Sequence, residues 1–479
     1  MPTTPHQDDL HILILDDTTE PPCDKIVTYS KFVRPEDRIK LFIISSLGAL
    51  TDEDKQNSAD YVEMESPERN ACLEIEAMRL HQKHRIDLIY TKQEELIIRA
   101  ATLRKMFNLP RAKGFVSPDD ALFFRDKVLM KDIAQKGGFP VPKFRRLRYP
   151  LDLVEFAQQC GYPVIVKPAM GCASAGVQVI RSWDDLVSFL SSNFFPTRED
   201  SHDWRITYGT DMIVEQFVDA EMYHVNGCLI DGQLQVMWPF KYISTNFGFT
   251  QGVAYGNVLI PKSDARWTQL RDAAIRLLQC FPTPRRLMFH LELFGRPTAT
   301  GGLEFLLCEI AARRPGGSIG HLIDLAEGGG IWGELEFRLS VGLPFRHNRS
   351  ERSCYENDPS FVVGDLIVPR KKGHRLKYIP DAGSCTIPGI TYLPIEKAGS
   401  EYLCYDCTTV NTCARMVAVS SGVPSNTDSI ERTLDQALRW FQKHVVHEKL
   451  GPESPTCSMA STDESSSCER TPCSDLWSA

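Results

Sequence analysis

Residues 303–317 read Leu-Glu-Phe-Leu-Leu-Cys-Glu-Ile-Ala-Ala-Arg-Arg-Pro-Gly-Gly, and shortly before them residues 288–294 read Met-Phe-His-Leu-Glu-Leu-Phe. Each run is an apolar strand with an acid deep inside it, Glu309 in 303–317 and Glu292 in 288–294. A carboxylate in such a strand is seldom left alone, because an unpaired buried charge is costly. The polar, glycine-bearing stretch 295–302 between them predicts an antiparallel hairpin, in which both carboxylates can share one face. Two carboxylates facing a polyphosphate suit Mg²⁺, which takes one or two acids together with phosphate oxygens and water. The plainer reading, a buried acid–arginine pair with Arg313 and Arg314, has equal weight on these residues alone.

Working outward, residues 162–167 (Tyr-Pro-Val-Ile-Val-Lys) predict a strand that delivers Lys167 beside a small-residue loop running from Gly171 through Ser174 to Gly176. A lysine beside backbone N–H groups that a ligand can approach closely is a phosphate site in physical terms. A hairpin with a surface lysine is the plainer reading, and the spacing is not that of a P-loop. Upstream, Ser117-Pro-Asp-Asp120 caps a helix expected to run through Lys127 to about residue 135, where Gly137-Gly138 stops it. Downstream, residues 211–218 predict a strand ending in Glu215, Gln216 and Val218, with Glu221 just beyond. Backbone groups of 216–218 can read a purine edge and the Glu221 carboxylate a ribose. Taken alone, a solvated acid at a turn is the better account of Glu221.

The chain begins with alternating strand and helix signals: strands at 11–15, 40–44 and 86–90, helices over 68–84 and 94–106. That alternation predicts a small parallel α/β domain over 1–115. No Gly-x-Gly-x-x-Gly follows the first strand, so a dinucleotide fingerprint is missing. Residues 222–229 and 234–238 predict a hairpin about Asp231-Gly232, 318–326 and 331–341 helices, 355–420 short strands, and 428–448 a closing helix. A central unit over 116–345, with a flap at about 140–212, and a C-terminal extension over 346–450 follow. Residues 451–479 are serine-rich and acidic, and disorder is expected there.

The 479 residues carry a formal charge of −8, 42% hydrophobic residues and 24% charged residues. No basic block marks a nucleic-acid partner, and no apolar run approaches the roughly 20 residues of a membrane span. No secretory leader is apparent, and 15 cysteines, an odd number, argue for reduced thiols. A cytoplasmic protein is expected. Cys404, Cys407 and Cys413 lack a second matched pair, so zinc is disfavoured.

The ordered set (helix lysine, strand lysine with its loop, acid at a strand end, then two strand acids and an arginine) resembles the ATP-grasp superfamily over roughly residues 115–345. Within it, Glu309-Ile-Ala-Ala-Arg-Arg-Pro-Gly-Gly317 is similar to the L-amino-acid ligase and carnosine-synthase-like branch of carboxylate–amine ligases. The resemblance implies an α/β (α+β) ATP-grasp fold with an N-terminal Rossmann-like pre-ATP-grasp domain and a mixed C-terminal extension. It implies ATP and Mg²⁺, with Mn²⁺ as a substitute. Lys127 and Lys167 would bind phosphates, and Gly171, Ser174 and Gly176 would lie in the flap over them. Glu215, Gln216 and Val218 would hold adenine, Glu221 the ribose, and Glu292 and Glu309 the metal. Two departures stand out. Ala311 replaces the asparagine of many relatives, and the catalytic arginine is Arg313 counted from Glu309 but Arg314 counted back from Pro315.

The implied reaction forms an acyl-phosphate from a small carboxylate and ATP, then an amide with an amine, releasing ADP and phosphate. A carboxylase or purine-pathway-like enzyme using a carboxyl-phosphate, and a non-catalytic ATP-binding protein, are the competing readings. A homodimer is the commonest soluble oligomer. The aromatics of 237–249 either line a substrate cleft or fill a core. His224 and His290 are read first as structural histidines.

Overall fold

The computed structural model describes residues 9–16, 29–109, 114–192, 211–299, 301–330, 332–344, 353–402, 412–420 and 426–451. The expected tail and the Cys404–Cys407 pair lie outside them. Strands β1 (Leu10–Leu15), β2 (Ile39–Ser46), β3 (Asp60–Met64) and β4 (Leu88–Tyr90) form a parallel sheet in the order β3-β2-β1-β4. β3 escaped the sequence reading because its Asp-Tyr-Val-Glu-Met edge carries two acids among five residues and none of the five is buried. One face of the sheet packs Leu13, Leu15 and Phe42 on helices Leu73–His84 and Ile97–Met106. The other packs Ile12, Ile14 and Tyr90 on Phe337 and Val341 of the helix Trp332–Val341. Beside that contact Arg338, with a fully buried side chain, donates to both oxygens of Asp37 (2.8 and 3.0 Å).

The single helix expected from Ser117 to about residue 135 is two, Pro118–Phe123 and Lys127–Lys136. Asp126 breaks the run: its carboxylate accepts from the N–H groups of Val128 (2.9 Å) and Leu129 (3.1 Å) and starts a new helix. Lys127 therefore stands at a helix N-terminus. Strands β5 (Phe144–Leu147), β6 (Val164–Pro168), β7 (Gln178–Ile180) and β8 (Met212–Gln216) make an antiparallel sheet ordered β5-β8-β6-β7. Helices Pro150–Cys160 and Trp183–Ser192 seal one face around Leu153, Phe156, Val166 and Leu186. The other face is left for the cleft.

The largest sheet uses β9 (Glu221–Ile230), β10 (Gln233–Tyr242), β11 (Tyr255–Leu259), β12 (Arg286–Pro297), β13 (Leu303–Ala311) and β14 (Val363–Pro369). After β15 (His374–Tyr378), β16 (Ile390–Pro394) and β17 (Glu401–Tyr402), β18 (Thr412–Val419) completes it in the order β13-β12-β9-β10-β11-β14-β18-β16. Asp231 (φ 51°) and Gly232 (φ 76°) make the β9–β10 turn with the positive φ pair that matches strand twist. The closing helix is Thr427–His444, shorter than expected. Its chain turns extended at Val445 and enters β19 (Val446–Lys449), which pairs with β15 beside β17. Among the described residues no helix is long and apolar enough to cross a membrane. The expected α/β class holds, with a parallel N-terminal sheet and antiparallel sheets after it.

Candidate active site

The β5–β8 sheet overhangs the β9–β13 part of the large sheet, and the gap between them is a cavity of about 420 Å³, in the range of small-molecule sites. Its floor is set by strand register. Glu292 of β12 stands directly opposite Glu309 of β13, so both carboxylates leave the same face. A register shift follows between Glu292 and Leu293, which also admits Cys308 to the cavity wall. Tyr242 donates to Glu292 Oε1 (2.6 Å), and His290 Nε2 lies 3.4 Å from the same oxygen. Burial works against the Glu292 charge, yet His290 and Tyr242 hold its carboxyl down to about 2.

The cations come from Lys167 of β6 and from the helix Lys127–Lys136, which packs on the large sheet. Lys127 Nζ is 3.2 Å from Glu309 Oε1 and donates to the Gly171 carbonyl. Lys167 Nζ is 3.1 Å from Glu215 Oε2, while the wholly buried Lys131 is 3.4 Å from Glu215 Oε1 and donates to Leu307 O (3.2 Å) and Cys308 O (2.7 Å). Burial disfavours the charges of Lys167, Glu215 and Lys131. Glu215 nevertheless raises Lys167, and the two lysines keep Glu215 below the ordinary carboxylate value, whereas burial wins at Lys131 and lowers it. Three bonds in all tie this helix start to the stem of the loop. Lys127 N donates to Ala169 O (2.9 Å), Arg125 Nη2 to Met170 O (2.8 Å), and Lys127 Nζ to Gly171 O. Beyond the stem, Ala173 (φ 52°), Ser174 (φ 59°) and Gly176 (φ 69°) are left-handed.

Of the residues singled out in the sequence, the cleft brings together Lys127, Lys167, Gly171, Ser174, Glu215, Gln216, Val218, Glu292, Glu309 and Arg313. Three are placed otherwise. Gly176 shapes the loop but does not line the cavity. Glu221 is on the wrong face: strand alternation sends Met222 into the cleft, and the Glu221 carboxylate accepts from Tyr223 OH (2.6 Å) and meets Lys241 Nζ (2.9 Å). Arg314 likewise points away, toward the buried Glu336, whose raised carboxyl pKa it moderates against burial. Glu215 lines the cleft, but its carboxylate is committed to lysines, so an adenine edge would meet only backbone there.

Arg313 is held by a residue the sequence reading passed over. Its Nε pairs with Glu94, from the loop after β4, and Glu94 also takes Arg125. Burial opposes the Glu94 charge, but the two guanidiniums lower its carboxyl to about 2. The signal was a polar Lys92-Gln-Glu-Glu95 stretch directly after an apolar strand. The aromatics divide: Tyr242, Phe247, Phe249 and Tyr255 line the cavity, whereas Trp238 and Phe240 are core. His290 lines the cavity, and His224 is wholly buried beneath it.

Among the described residues no three His, Cys, Asp or Glu side chains converge as a metal-binding group. The donor set still fits Mg²⁺ of the nucleotide-bound kind. It has two hard carboxylates in register, open to a cavity lined opposite by lysines, with phosphates and water to complete the shell.

The profile of the family described as Carbamoyl-phosphate synthase L chain, ATP binding domain, matches residues 126–220, which hold Lys127, Lys167, the flap loop and Glu215 to Val218. An L-arginine-specific L-amino acid ligase of Bacillus subtilis is 25% identical over 299 residues, 61% of this chain and 65% of that protein's length. The crystal structure of an L-amino acid ligase from Bacillus licheniformis superposes with a TM-score of 0.64 at 14% identity, covering 93% of this chain and 100% of that one. The biotin carboxylase domain of Hydrogenobacter thermophilus 2-oxoglutarate carboxylase, solved with MgADP and bicarbonate, reaches 0.58 at 13% identity, covering 93% and 92%. Both solved structures share the fold.

Proposed function

We propose, from the premise that this chain belongs to the ATP-grasp superfamily and stands close to its L-amino-acid ligases, that it is an ATP- and Mg²⁺-dependent carboxylate–amine ligase. With the proposal goes the division of the chain into an ATP-grasp unit over 116–345, with its lid at about 140–212, and flanking units. The observation that carries it is the meeting, in one cleft, of Lys127, Lys167, Glu292, Glu309 and Arg313.

In this reading Lys127 and Lys167 neutralise the triphosphate, and the backbone of Gln216 and Val218 meets the adenine edge. Val177, Val179 and Ile165 of the lid and Met222 of the floor provide apolar walls for the base. Glu292 and Glu309 would hold Mg²⁺, which supplies charge neutralisation for the transferred phosphoryl group. Arg313, fixed by Glu94, faces the carboxylate and the acyl-phosphate made from it. Phosphoryl transfer asks mainly for positioning and charge stabilisation, and this set supplies both. The flap loop excludes water from a hydrolysable acyl-phosphate. Reduced thiols (nine free cysteines among the described residues) accord with a cytoplasmic location.

The test is to incubate the protein with Mg-ATP and pools of carboxylic and amino acids and to resolve the nucleotides. ADP and phosphate released only when a carboxylate and an amine are both present is the expected result. AMP and pyrophosphate would replace acyl-phosphate chemistry with adenylation. Turnover with bicarbonate alone would favour a carboxyl-phosphate reaction.

A further inference from the structure

A second, smaller cavity of about 50 Å³ lies where the N-terminal unit meets the large sheet. Lys92 and Arg104 come to it from one side, Arg286 and Arg313 from the other, and Glu336 from the helix Trp332–Val341. Two of these cations are neutralised elsewhere: Lys92 Nζ is 3.6 Å from Asp16 Oδ1, and Arg313 pairs with Glu94. The one acid is satisfied as well. Glu336 accepts from Tyr90 OH (2.6 Å) and Ser340 Oγ (3.2 Å), and burial raises its pKa against the pull of Arg314. Arg104 and Arg286 form an ion pair with no acid among the described residues. Arg104, buried in the last turn of the helix Ile97–Met106, donates from Nε to the Ile89 carbonyl (2.8 Å) and lies with Cζ 4.3 Å from the centre of the Phe115 ring. A ring face is a weak counter-charge for a guanidinium. Burial lowers the Arg104 pKa, and no charge acts in the opposite direction. Arg286 opens β12 with its guanidinium packed on two glycine backbones: a Cβ on Gly342 would meet its Cζ at 2.6 Å, and one on Gly114 its Nη1 at 3.6 Å. That packing fixes the fork without neutralising it.

We propose that this cavity is an anion site for one small tetrahedral oxyanion, of the size and charge of inorganic phosphate, with Arg104 and Arg286 as its counter-charges. A buried cation left uncompensated is costly, and an oxyanion removes that cost at both arginines. Guanidinium forks match its oxygens in geometry and give charge-assisted bonds, which water does not. Four tetrahedral oxygens can serve two forks that arrive from different elements. The size agrees: one water needs roughly 10–15 Å³, so the space takes a few waters or one such ion, and no nucleotide. The site is separate from the triphosphate lysines, since neither Lys127 nor Lys167 lines it. Among the described residues Arg313 alone lines both cavities. The inference does not rest on the ligase reading.

Isothermal titration of the full chain with inorganic phosphate, against chloride at matched ionic strength, tests the site without substrate or nucleotide. The expected result is a phosphate that chloride does not replace and whose binding Arg286→Gln weakens at least about tenfold, the worth of one charge-assisted hydrogen bond. Arg104→Lys, which keeps the charge but loses the fork, should weaken the same ion. Arg285→Gln should leave it unchanged, because that exposed guanidinium is paired with Asp231 at the β9–β10 turn. Circular dichroism establishes that each variant is folded, and if Arg286→Gln is not, Arg104→Lys decides alone. A protein that binds no phosphate holds only water here and overturns the proposal. Unchanged affinity in the folded variants, as an ion in the ATP cleft would give, overturns it too. So does an equal loss in Arg285→Gln, which would make the effect one of overall charge.

Discussion

The guanidinium of Arg313 is ion-paired with the carboxylate of Glu94, which lies 219 positions earlier in the chain. Glu94 comes from the loop after β4 of the parallel N-terminal sheet and Arg313 from the exit of the β12–β13 hairpin. The arginine proposed to hold the carboxylate is therefore aimed by a different layer of the molecule, and Arg125 at the root of the flap shares the same counter-charge.

Glu94→Gln should reduce ligase turnover about tenfold or more, as loss of a supporting partner does, and lower stability by roughly 3–5 kcal/mol, the cost of breaking a buried ion pair. The variant should also change the acid limb of stability. A carboxyl held at about 2 in the fold, against about 4.3 unfolded, contributes stability that is fully present above the unfolded value. That stability is lost as pH falls toward the folded value. Urea midpoints followed from pH ~6 down to pH ~2 should fall less steeply in Glu94→Gln. Parallel curves would remove Glu94 from this role.

Glu309→Gln is expected to abolish ADP release while its circular dichroism and melting curve stay close to the original. The carboxylate is partly open to the cleft and has Lys127 for a partner. Chelation should silence the unmodified enzyme, and added Mg²⁺ or Mn²⁺ should restore it. Turnover that persists in Glu309→Gln would take the metal away from this hairpin.

Arg313→Lys and Arg314→Lys separate the two arginines that sequence counting left tied. Lysine keeps the charge but loses the planar fork. Arg313→Lys should cut kcat by on the order of a hundredfold, and Arg314→Lys, next to Glu336 outside the cavity, should mainly lower Tm. A reversed pattern would mean that the two arginines have been assigned to the wrong faces.

Glu221→Gln tests the strand face directly. With its carboxylate on Tyr223 and Lys241 rather than in the cleft, the change should leave the KM for ATP within about twofold, the scale of an exposed ion pair. Met222→Asp, on the cleft side, should raise it by far more. A large KM effect from Glu221→Gln would restore the ribose role.

Much of this was legible where one-dimensional pattern and three-dimensional neighbour coincide. Glu292 and Glu309 announce themselves because an acid inside an apolar strand is anomalous, and a short hairpin fixes which residues stand opposite. Lys167 and its loop are legible for the same reason. What escaped is decided by a single residue of phase or by a distant partner. Glu221 and Met222 are neighbours that strand alternation sends to opposite sides, and composition favours the charged one; Arg313 and Arg314, just past the end of β13, also part, one lining the cavity and the other buried outside it. Asp126 reads as one more polar helix residue until its side chain is seen capping the next helix. Lys131 looks like a surface lysine, yet it is wholly buried because Glu215 and two carbonyls of β13 come to it from elsewhere in the chain. His290 is tied through Asn226, His224 and Asn257 to Asp365, a row on four strands whose order no local window displays.

The bonds from Arg125 and Lys127 to the carbonyls of residues 169–171 make Lys127 and the stem of the loop one mechanical part. The helix that Lys127 opens is moored to the large sheet as well, with Met130 and Ala134 in its core and Lys131 on the Leu307 and Cys308 carbonyls of β13. The stem is thereby pinned to the floor, and Lys127 stands beside Glu309 before any nucleotide arrives. Any opening of the roof would turn about this anchored edge rather than carry Lys127 away with it.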